Sequence, residues 1–304
     1  MIRFGLCCQF IDESIKFRTA TATSLMKLNK DDALRKLSVI CLSNARSLQA
    51  ALIYCGNNNI GAFRVNSQIL PLKTHPELGY DVDDVPDGKE IIKAFEKCKT
   101  LAGRYKLRTI FHPDQFILLS SFNEEVTRHS IADLEYQAEV SEWIGADVIN
   151  IHGGGAYGNK QESLDRVARN LKRLSKAVRK RLTFENDDKT YTPQDLLPLC
   201  QKEEIPFVYD VHHHRCNSDG MSTEKATRLA LETWDREPLF HLSSPKEGWD
   251  GPNPSRHHDY IDVRDFPNCW RGLDITVEVE AKAKELAVKK LYKFFAYQKE
   301  GIFS

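Results

Sequence analysis

The chain lacks the sequence signals of several large protein classes. None of its eight cysteines forms a CxxC pair, so neither a zinc ribbon nor a disulfide framework is indicated, and reduced thiols in a cytosol fit best. No apolar run reaches the about 18 residues that a membrane span requires. The first residues, Met1 to Leu6, are typical of a strand and not of a signal peptide. We therefore expect a cytoplasmic protein with no membrane partner.

An excess of charge of one sign is also absent. Lysine and arginine together number 43, as do aspartate and glutamate, so the global charge offers no attraction for the phosphates of a nucleic acid. Any binding to nucleic acid must come from a local basic surface. No low-complexity tract or interdomain linker divides the sequence, and we expect residues 1–304 to form one domain.

Short apolar segments alternate with helix-like segments along the whole chain. The apolar segments are hydrophobic at nearly every residue, as is typical of parallel strands covered on both faces. Eight alternations favour an α/β fold, a single (β/α)8 TIM barrel, over an open sheet. The predicted strands are residues 2–8, 60–66, 108–112, 147–152, 181–186, 206–211, 238–243 and 274–280, and the predicted helices are residues 31–56, 88–105, 124–145, 161–180, 193–204, 222–235 and 281–298.

Six of these apolar segments end on a residue type that binds metal ions. In a parallel barrel the C-terminal ends of the strands converge on one face, where the loops build active sites. Imidazoles and carboxylates gathered there predict a divalent metal site with more than one ion, and the mixture suits zinc, manganese or iron more than calcium. The six residues are His112, His152, Glu185, Asp210, His241 and Glu280.

Each of these residues also has a purely structural interpretation. A lone histidine at a strand end, such as His112, is more often a capped core residue than a ligand. Asp187 and Asp188 can be turn residues, but a turn does not explain Glu185 at the end of an apolar strand. We favour Glu185 as a ligand that bridges two ions.

Two neighbourhoods offer more candidates than one ion can use. Among the three consecutive histidines after Asp210, we expect Asp210 and His213 to be ligands and His212 to be exposed or to support them. In the last strand, Glu278 and Glu280 lie on the same face because side chains alternate with a period of two. Both can contribute to the site, or one can pair with a lysine instead.

Polar motifs occur in a fixed order between residues 58 and 296. They are Arg64 to Ser67 with Pro71 and His75, His112 to Phe116, Asn150 to Gly154, Phe184 to Lys189, Asp210 to His213, His241 to Lys246, His257 to Tyr260, and Glu280 to Lys282. These motifs resemble those of the UV damage endonuclease family, which is related in fold to the endonuclease IV kind, and their order along the chain makes the resemblance specific.

The resemblance implies a DNA repair hydrolase that cuts the phosphodiester bond immediately 5′ to a UV photoproduct or another lesion in double-stranded DNA. It implies two or three divalent ions, manganese first and zinc as the alternative, and no obligate protein partner. Glu185, His241 and Lys246 would be catalytic, and Lys189 would contact a phosphate. The implied metal ligands are His75, His112, His152, Glu185, Asp210, His213, His241, His257 and Glu280.

The resemblance also implies a DNA-probing pair, Gln115 and Phe116, which would enter the duplex opposite the lesion. Without the resemblance, Phe116 would be interpreted as core packing. The chain departs from the family at Leu239, where many members have a lysine two residues before the histidine of the seventh strand, and at Leu6, where some members have an aromatic residue. Two other functions fit the barrel: a metal-dependent sugar isomerase or epimerase, and a non-enzymatic protein that binds damaged DNA.

Overall fold

The computed structural model of the protein describes residues 1–114 and 116–299, with side chains described as far as residue 296. Eight parallel strands pair in chain order, and the last pairs with the first, so the sheet closes into a barrel. The predicted (β/α)8 TIM barrel is confirmed. The strands are β1 (Ile2–Cys7), β2 (Ala62–Val65), β3 (Arg108–Phe111), β4 (Val148–His152), β5 (Leu182–Glu185), β6 (Phe207–Asp210), β7 (Leu239–Leu242) and β8 (Ile275–Val279).

Helices connect successive strands and cover the outside of the barrel. Most bury one apolar face, as α3 does with Ile91, Phe95 and Cys98. The α-helices are α1 (Ala22–Leu25), α2 (Lys30–Asn57), α3 (Gly88–Tyr105), α4 (Glu124–Ile144), α5 (Lys160–Leu171), α6 (Lys176–Arg179), α7 (Pro193–Glu203), α8 (Val211–Cys216), α9 (Thr223–Leu231) and α10 (Lys284–Lys299), and short 3-10 helices lie at Val82–Asp84, Val263–Asp265 and Asn268–Trp270.

Two connections differ from the sequence prediction, and side-chain capping explains both. The helix predicted over residues 161–180 is broken because Ser175 accepts a hydrogen bond from the Val178 amide and starts the separate helix α6. The loop predicted after the sixth strand begins instead with helix α8. Asp210 caps that helix by accepting a hydrogen bond from the His213 amide.

The inside of the barrel is layered. A small apolar cluster, separate from the main core, consists of Ala62, Ile110, Val148, Val208 and Leu239. Because alternate residues of a strand face the same side, the residues two positions further along these strands also point inward. They are Arg64, His112, Asn150, Asp210 and His241. A polar layer therefore lies directly above an apolar one, at the C-terminal end of the barrel.

The lower layer explains the position of Leu239. This side chain is fully buried in the apolar cluster and also belongs to the strand that presents His241.

The eight cysteines are all free thiols. Among the helices of the described residues, none has the length and apolar character needed to cross a bilayer.

Candidate metal centre

Glu185, the last residue of β5, lies at the centre of the polar layer. It is fully buried, and three imidazoles surround its carboxylate. His112 Nε2 lies 3.0 Å from Oε2, His241 Nδ1 lies 3.0 Å from Oε1, and His213 Nδ1 lies 3.4 Å from Oε1. Ligands that share one ion at bond lengths of about 2.0–2.2 Å lie about 3 Å apart. These ligand atoms are therefore close enough together to share one ion.

Three groups of side chains offer ligand atoms within 4.8 Å of one another. Glu185 belongs to two of them and His112 also belongs to two, so the groups overlap and can hold adjacent ions. Seven of the nine ligands predicted from the sequence are brought together in this way. The groups are His112, His152 and Glu185; His112, His241 and Glu280; and Glu185, Asp210 and His213.

Buried amides hold the central carboxylate in place. Asn150 Nδ2 donates a hydrogen bond of 2.5 Å to Glu185 Oε2, and Thr183 Oγ1 in turn donates to Asn150 Oδ1 at 2.9 Å. Asn186, which directly follows β5, exchanges two hydrogen bonds with the backbone of Asp210, at 2.8 and 3.0 Å. These contacts fix the two carboxylates before any ligand binds, which is how supporting residues act around metal sites.

Two buried polar atoms of this cluster have no hydrogen-bond partner among the described residues: His152 Nδ1 and Asp210 Oδ2. Native proteins satisfy nearly all buried polar atoms, and an exception requires an explanation, of which a bound ion is one. Burial lowers the pKa of His152, despite the opposing charge of Glu185. The neutral imidazole thus favoured is the form that coordinates a metal, so the donor set fits a divalent cation on these two observations.

Arg64 of β2 supplies positive charge beside the cluster. Its Nη2 lies 2.5 Å from Glu278 Oε2 and 2.7 Å from Glu280 Oε1. The same Glu278 oxygen lies 2.9 Å from His241 Nε2. The guanidinium and the imidazole therefore both donate to one Glu278 oxygen. Glu280, which also pairs with Arg64, belongs to the group with His112 and His241.

Without metal, the charges of these groups balance one another. Burial opposes ionisation of Glu185, but His241 and His152 hold its pKa well below the usual range. Burial also opposes a charge on His241, yet Glu185 raises the pKa of His241 to about 10. The pKa of Glu278 is also lowered, to about 2, because the charge of Arg64 outweighs the effect of burial. The raised pKa favours a protonated His241, which places positive charge beside Glu185 in the metal-free protein.

The remaining histidines after β6 and β7 lie close by. His257 Nδ1 is 3.7 Å from Glu280 Oε2, although His257 is in none of the three groups. His212 is not exposed, contrary to one of the two predictions for it. Its ring is fully buried against Trp249 and His257, with centroid distances of 5.1 and 5.2 Å. The short helix α8 causes this burial because it turns His212 away from solvent.

His75 is not gathered with the other predicted ligands. It lies in the loop after β2, where its Nδ1 accepts hydrogen bonds from the amides of Glu77 and Leu78 at 3.2 and 3.3 Å. It lines a pocket of about 270 Å³ together with Asp114 and Phe116. The structure therefore places His75 at the edge of the site and in none of the three groups.

The predicted DNA-contacting residues lie on the loops around the same end of the barrel. Phe116 is 72% exposed, so its interpretation as core packing is wrong. Gln115 lies outside the described residues. Lys189 and Lys246 are exposed on the loops after β5 and β7, and neither side chain forms an ion pair or hydrogen bond with another described residue. Both ammonium groups are available to an anionic partner.

The sequence prediction assigned no role to the supporting residues Arg64, Asn150 and Asn186. A signal for the first two was present, because each is a polar residue at an inward-facing position of an otherwise apolar strand. Asp187 is a turn residue, as its structural interpretation predicted. Its carboxylate accepts hydrogen bonds from the amides of Lys189 and Tyr191 at 2.8 and 3.0 Å.

Solved structures with the same fold include both nucleases and sugar epimerases. The crystal structure of SacUVDE superposes with a TM-score of 0.87 at 27% identity, covering 98% of this chain and 99% of that one. Endonuclease IV from Thermus thermophilus has a TM-score of 0.63 at 15% identity, covering 98% and 99% of the two chains. A D-psicose 3-epimerase from Clostridium cellulolyticum has a TM-score of 0.57 at 11% identity, covering 82% and 92%. The last two show the fold alone.

Sequence comparison identifies the family. A UV DNA damage endonuclease from Bacillus cereus is 35% identical over 304 residues, covering 96% of this chain and 93% of the relative. A UV DNA damage endonuclease from Bacillus mycoides is 34% identical over 285 residues, covering 90% and 87%. The family model of UV-endonuclease UvdE matches residues 2–301. The chain therefore belongs to the UV-endonuclease UvdE family.

Proposed function

We propose that this protein is a metal-dependent DNA repair endonuclease that hydrolyses the phosphodiester bond immediately 5′ to a UV photoproduct or another lesion in double-stranded DNA. The observation behind the proposal is the buried Glu185 carboxylate with three imidazole nitrogens within 3.4 Å. Such a cluster at the C-terminal end of a barrel suits hydrolysis with more than one ion. Family membership and the names of the Bacillus relatives supply the substrate.

The proposed cofactors are two or three divalent ions, manganese first and zinc as the alternative, held by the three overlapping groups. When bound, such ions polarise a phosphodiester, activate water and stabilise the leaving oxygen. Glu185 would hold two of these ions, because each of its oxygens faces an imidazole. His257, near Glu280, and His75, at the edge of the site, extend the ligand set.

The chain's own groups position the DNA around this centre. Lys246 and Lys189 approach from exposed loops and neutralise phosphate charge, and Lys246 lies in the loop that follows β7, the strand of His241. Phe116, largely exposed after β3, and its neighbour Gln115 enter the duplex opposite the lesion. An aromatic ring restores the stacking that is lost when damaged nucleotides leave the helix.

The test is a nicking assay on a duplex that carries one photoproduct and a label at either end. The manganese-loaded protein should release a fragment ending immediately 5′ to the lesion, while an undamaged duplex stays intact and an abasic duplex reports the lesion range. Replacing the carboxylate in Glu185→Gln should lower cutting by at least about a thousandfold without changing the circular dichroism spectrum.

A matched control removes a carboxylate with a comparable ion pair far from the site. Glu237 accepts hydrogen bonds from Arg3 and Thr276 at the opposite end of the barrel, and Glu237→Gln should cut normally. The proposal fails if the wild-type protein leaves the photoproduct duplex intact. Full activity in Glu185→Gln would show that Glu185 is not part of the catalytic metal centre.

A further inference from the structure

Exposed aromatic side chains are concentrated on two loops beside the metal centre. Among the described residues, four aromatic side chains are exposed: Phe116, Phe122, Tyr157 and Tyr292. Phe116 and Phe122 lie in residues 112–123, the loop that follows β3, and Tyr157 lies in the loop that follows β4. These loops begin at His112 and His152, two members of the same metal-ligand group. Exposed apolar groups that cluster in this way mark interaction sites.

Phe122 and Tyr157 form a pair of rings. Their centroids are 5.0 Å apart at an interplanar angle of 73°, and the residues are 74% and 44% exposed. The edge of one ring therefore meets the face of the other, and both side chains remain largely accessible to solvent. Burying either ring in the core would stabilise the fold by more than this exposed contact does. Packing of the barrel gives no reason for their position.

The backbone supports the ring pair at a cost. Tyr157 has φ +45°, in the left-handed region that a bulky residue rarely adopts. Backbone strain of this kind persists where the surrounding structure enforces it, and it is concentrated at functional sites. A Cβ at Gly155 would lie 3.0 Å from the Tyr157 ring, so the glycine provides the space that the ring occupies.

The two loops are fixed against each other rather than free. A Cβ at Gly154 would meet the Ser120 hydroxyl, so the glycine loop packs directly on the loop after β3. Helix α5 also holds that loop, because Arg166 Nε donates to the Ser120 carbonyl at 2.8 Å. The Arg166 guanidinium lies over the Tyr157 ring, 5.7 Å from its centre, which adds positive charge next to the ring pair.

We propose that Phe122 and Tyr157 form a stacking platform for a nucleobase that has left the DNA helix beside the lesion. This inference rests on the proposed function, and it assigns to the two rings a role separate from that of Phe116. A flat, exposed ring stacks on any base because every base has a π face, and nearby positive charge attracts the adjoining phosphate. The platform would hold the strand beside the cut without reading its sequence.

The test uses duplexes with one photoproduct and a single 2-aminopurine placed in turn at each position flanking the lesion, on either strand. Binding is measured in EDTA so that no cutting occurs. An unstacked 2-aminopurine is bright, and stacking on an aromatic ring quenches it. At one of these positions the wild-type complex should remain quenched, whereas Phe122→Ala and Tyr157→Ala should brighten severalfold and bind the duplex about tenfold more weakly.

Three further variants separate stacking from general damage to the fold. Tyr157→Phe and Phe122→Trp keep a ring and should restore both quenching and affinity. Tyr292→Ala removes an exposed ring beside Met1 and Ile2, at the opposite end of the barrel, and should behave as wild type. The platform is refuted if both alanine variants match the wild-type protein in fluorescence and affinity while that protein still nicks the photoproduct. A wild-type protein that neither binds nor nicks the duplex overturns the proposed function and the platform together.

Discussion

Glu278 accepts a hydrogen bond from His241, with its Oε2 at 2.9 Å from the imidazole Nε2. This contact determines which nitrogen of His241 is free to bind a metal. With the proton on Nε2, the lone pair belongs to Nδ1, which lies 3.0 Å from Glu185 Oε1. Arg64 holds the negative charge of Glu278 in place from the other side. A carboxylate, a histidine and a metal in sequence form a common arrangement, in which the carboxylate orients the ligand.

Removing this charge should weaken metal binding while leaving every proposed ligand present. We expect Glu278→Gln to lower manganese affinity about 10- to 100-fold, because an amide holds the His241 tautomer less firmly. Isothermal titration calorimetry on chelator-stripped protein measures the effect. Glu237→Gln, at the other end of the barrel, should bind manganese as the wild-type protein does. Unchanged affinity in Glu278→Gln would show that Glu278 only neutralises Arg64.

The metal-free protein should lose stability as the solution becomes alkaline. Burial lowers the pKa of His241, but Glu185 overcomes this effect and raises it to about 10, against an ordinary value of 6.5. The pKa of His213 is also raised well above its usual range, since Asp210 outweighs burial. A raised pKa means that the folded state binds protons that the unfolded state releases. This stabilisation is complete below pH 6.5 and is lost as the pH rises toward 10.

Thermal unfolding in EDTA from pH 6 to pH 9 measures this dependence. The melting temperature should fall over the range, and His241→Gln should make the fall shallower, because one of the two protonated imidazoles is gone. Saturating manganese should flatten the curve as well, since the cation replaces the protons. Identical slopes in the wild type and His241→Gln would exclude His241 as a source of the effect.

Two of the predicted ligands, His112 and His75, should contribute unequally to the number of bound metal ions. His112 belongs to two of the three groups, with its Nε2 at 3.0 Å from Glu185, whereas His75 belongs to none. We therefore expect His112→Ala to lower the number of bound manganese ions more than His75→Ala does. Metal analysis after dialysis gives the count. An equal or larger loss in His75→Ala would place His75 inside the coordination sphere.

Regular strand geometry explains why the sequence indicated most of the residues that the barrel brings together, seven of the nine predicted ligands. A polar residue at the end of an apolar strand points to one face of a barrel, and the period of two would also have indicated Asn150 and Arg64, to which the sequence prediction assigned no role. Glu185, His112 and His241 come from alternate strands, β5, β3 and β7, and they are within reach of one another because closure of the barrel brings the inward-facing residues of alternate strands into one layer.

Features governed by loops were less predictable. His212 is buried because the short helix α8 forms at Asp210, and the exposure of Phe116 depends on how the loop after β3 turns. His75 lies far along a loop, where no periodicity limits its position. The helix predicted over residues 161–180 is broken because a local cap at Ser175 competes with continued helix.

We expect Tyr157 to lower the stability of the fold through its strained backbone while its ring strengthens DNA binding. Two substitutions can separate these effects. Tyr157→Ala and Tyr157→Gly both remove the ring, but only glycine relieves the strain of a backbone at φ +45°. Relative to alanine, glycine should therefore raise the free energy of unfolding by about 1 kcal/mol, net of its greater freedom in the unfolded chain. Urea unfolding monitored by circular dichroism measures the difference.

Both variants should bind the photoproduct duplex equally weakly, because each lacks the stacking face. Comparing the stability and the DNA affinity of the two variants therefore tests the role of the strained backbone. If Tyr157→Gly is no more stable than Tyr157→Ala, the left-handed conformation costs nothing at this position, and strain gives no support to a functional role. If glycine is more stable and still binds poorly, the chain maintains an unfavourable backbone to present this aromatic ring to DNA.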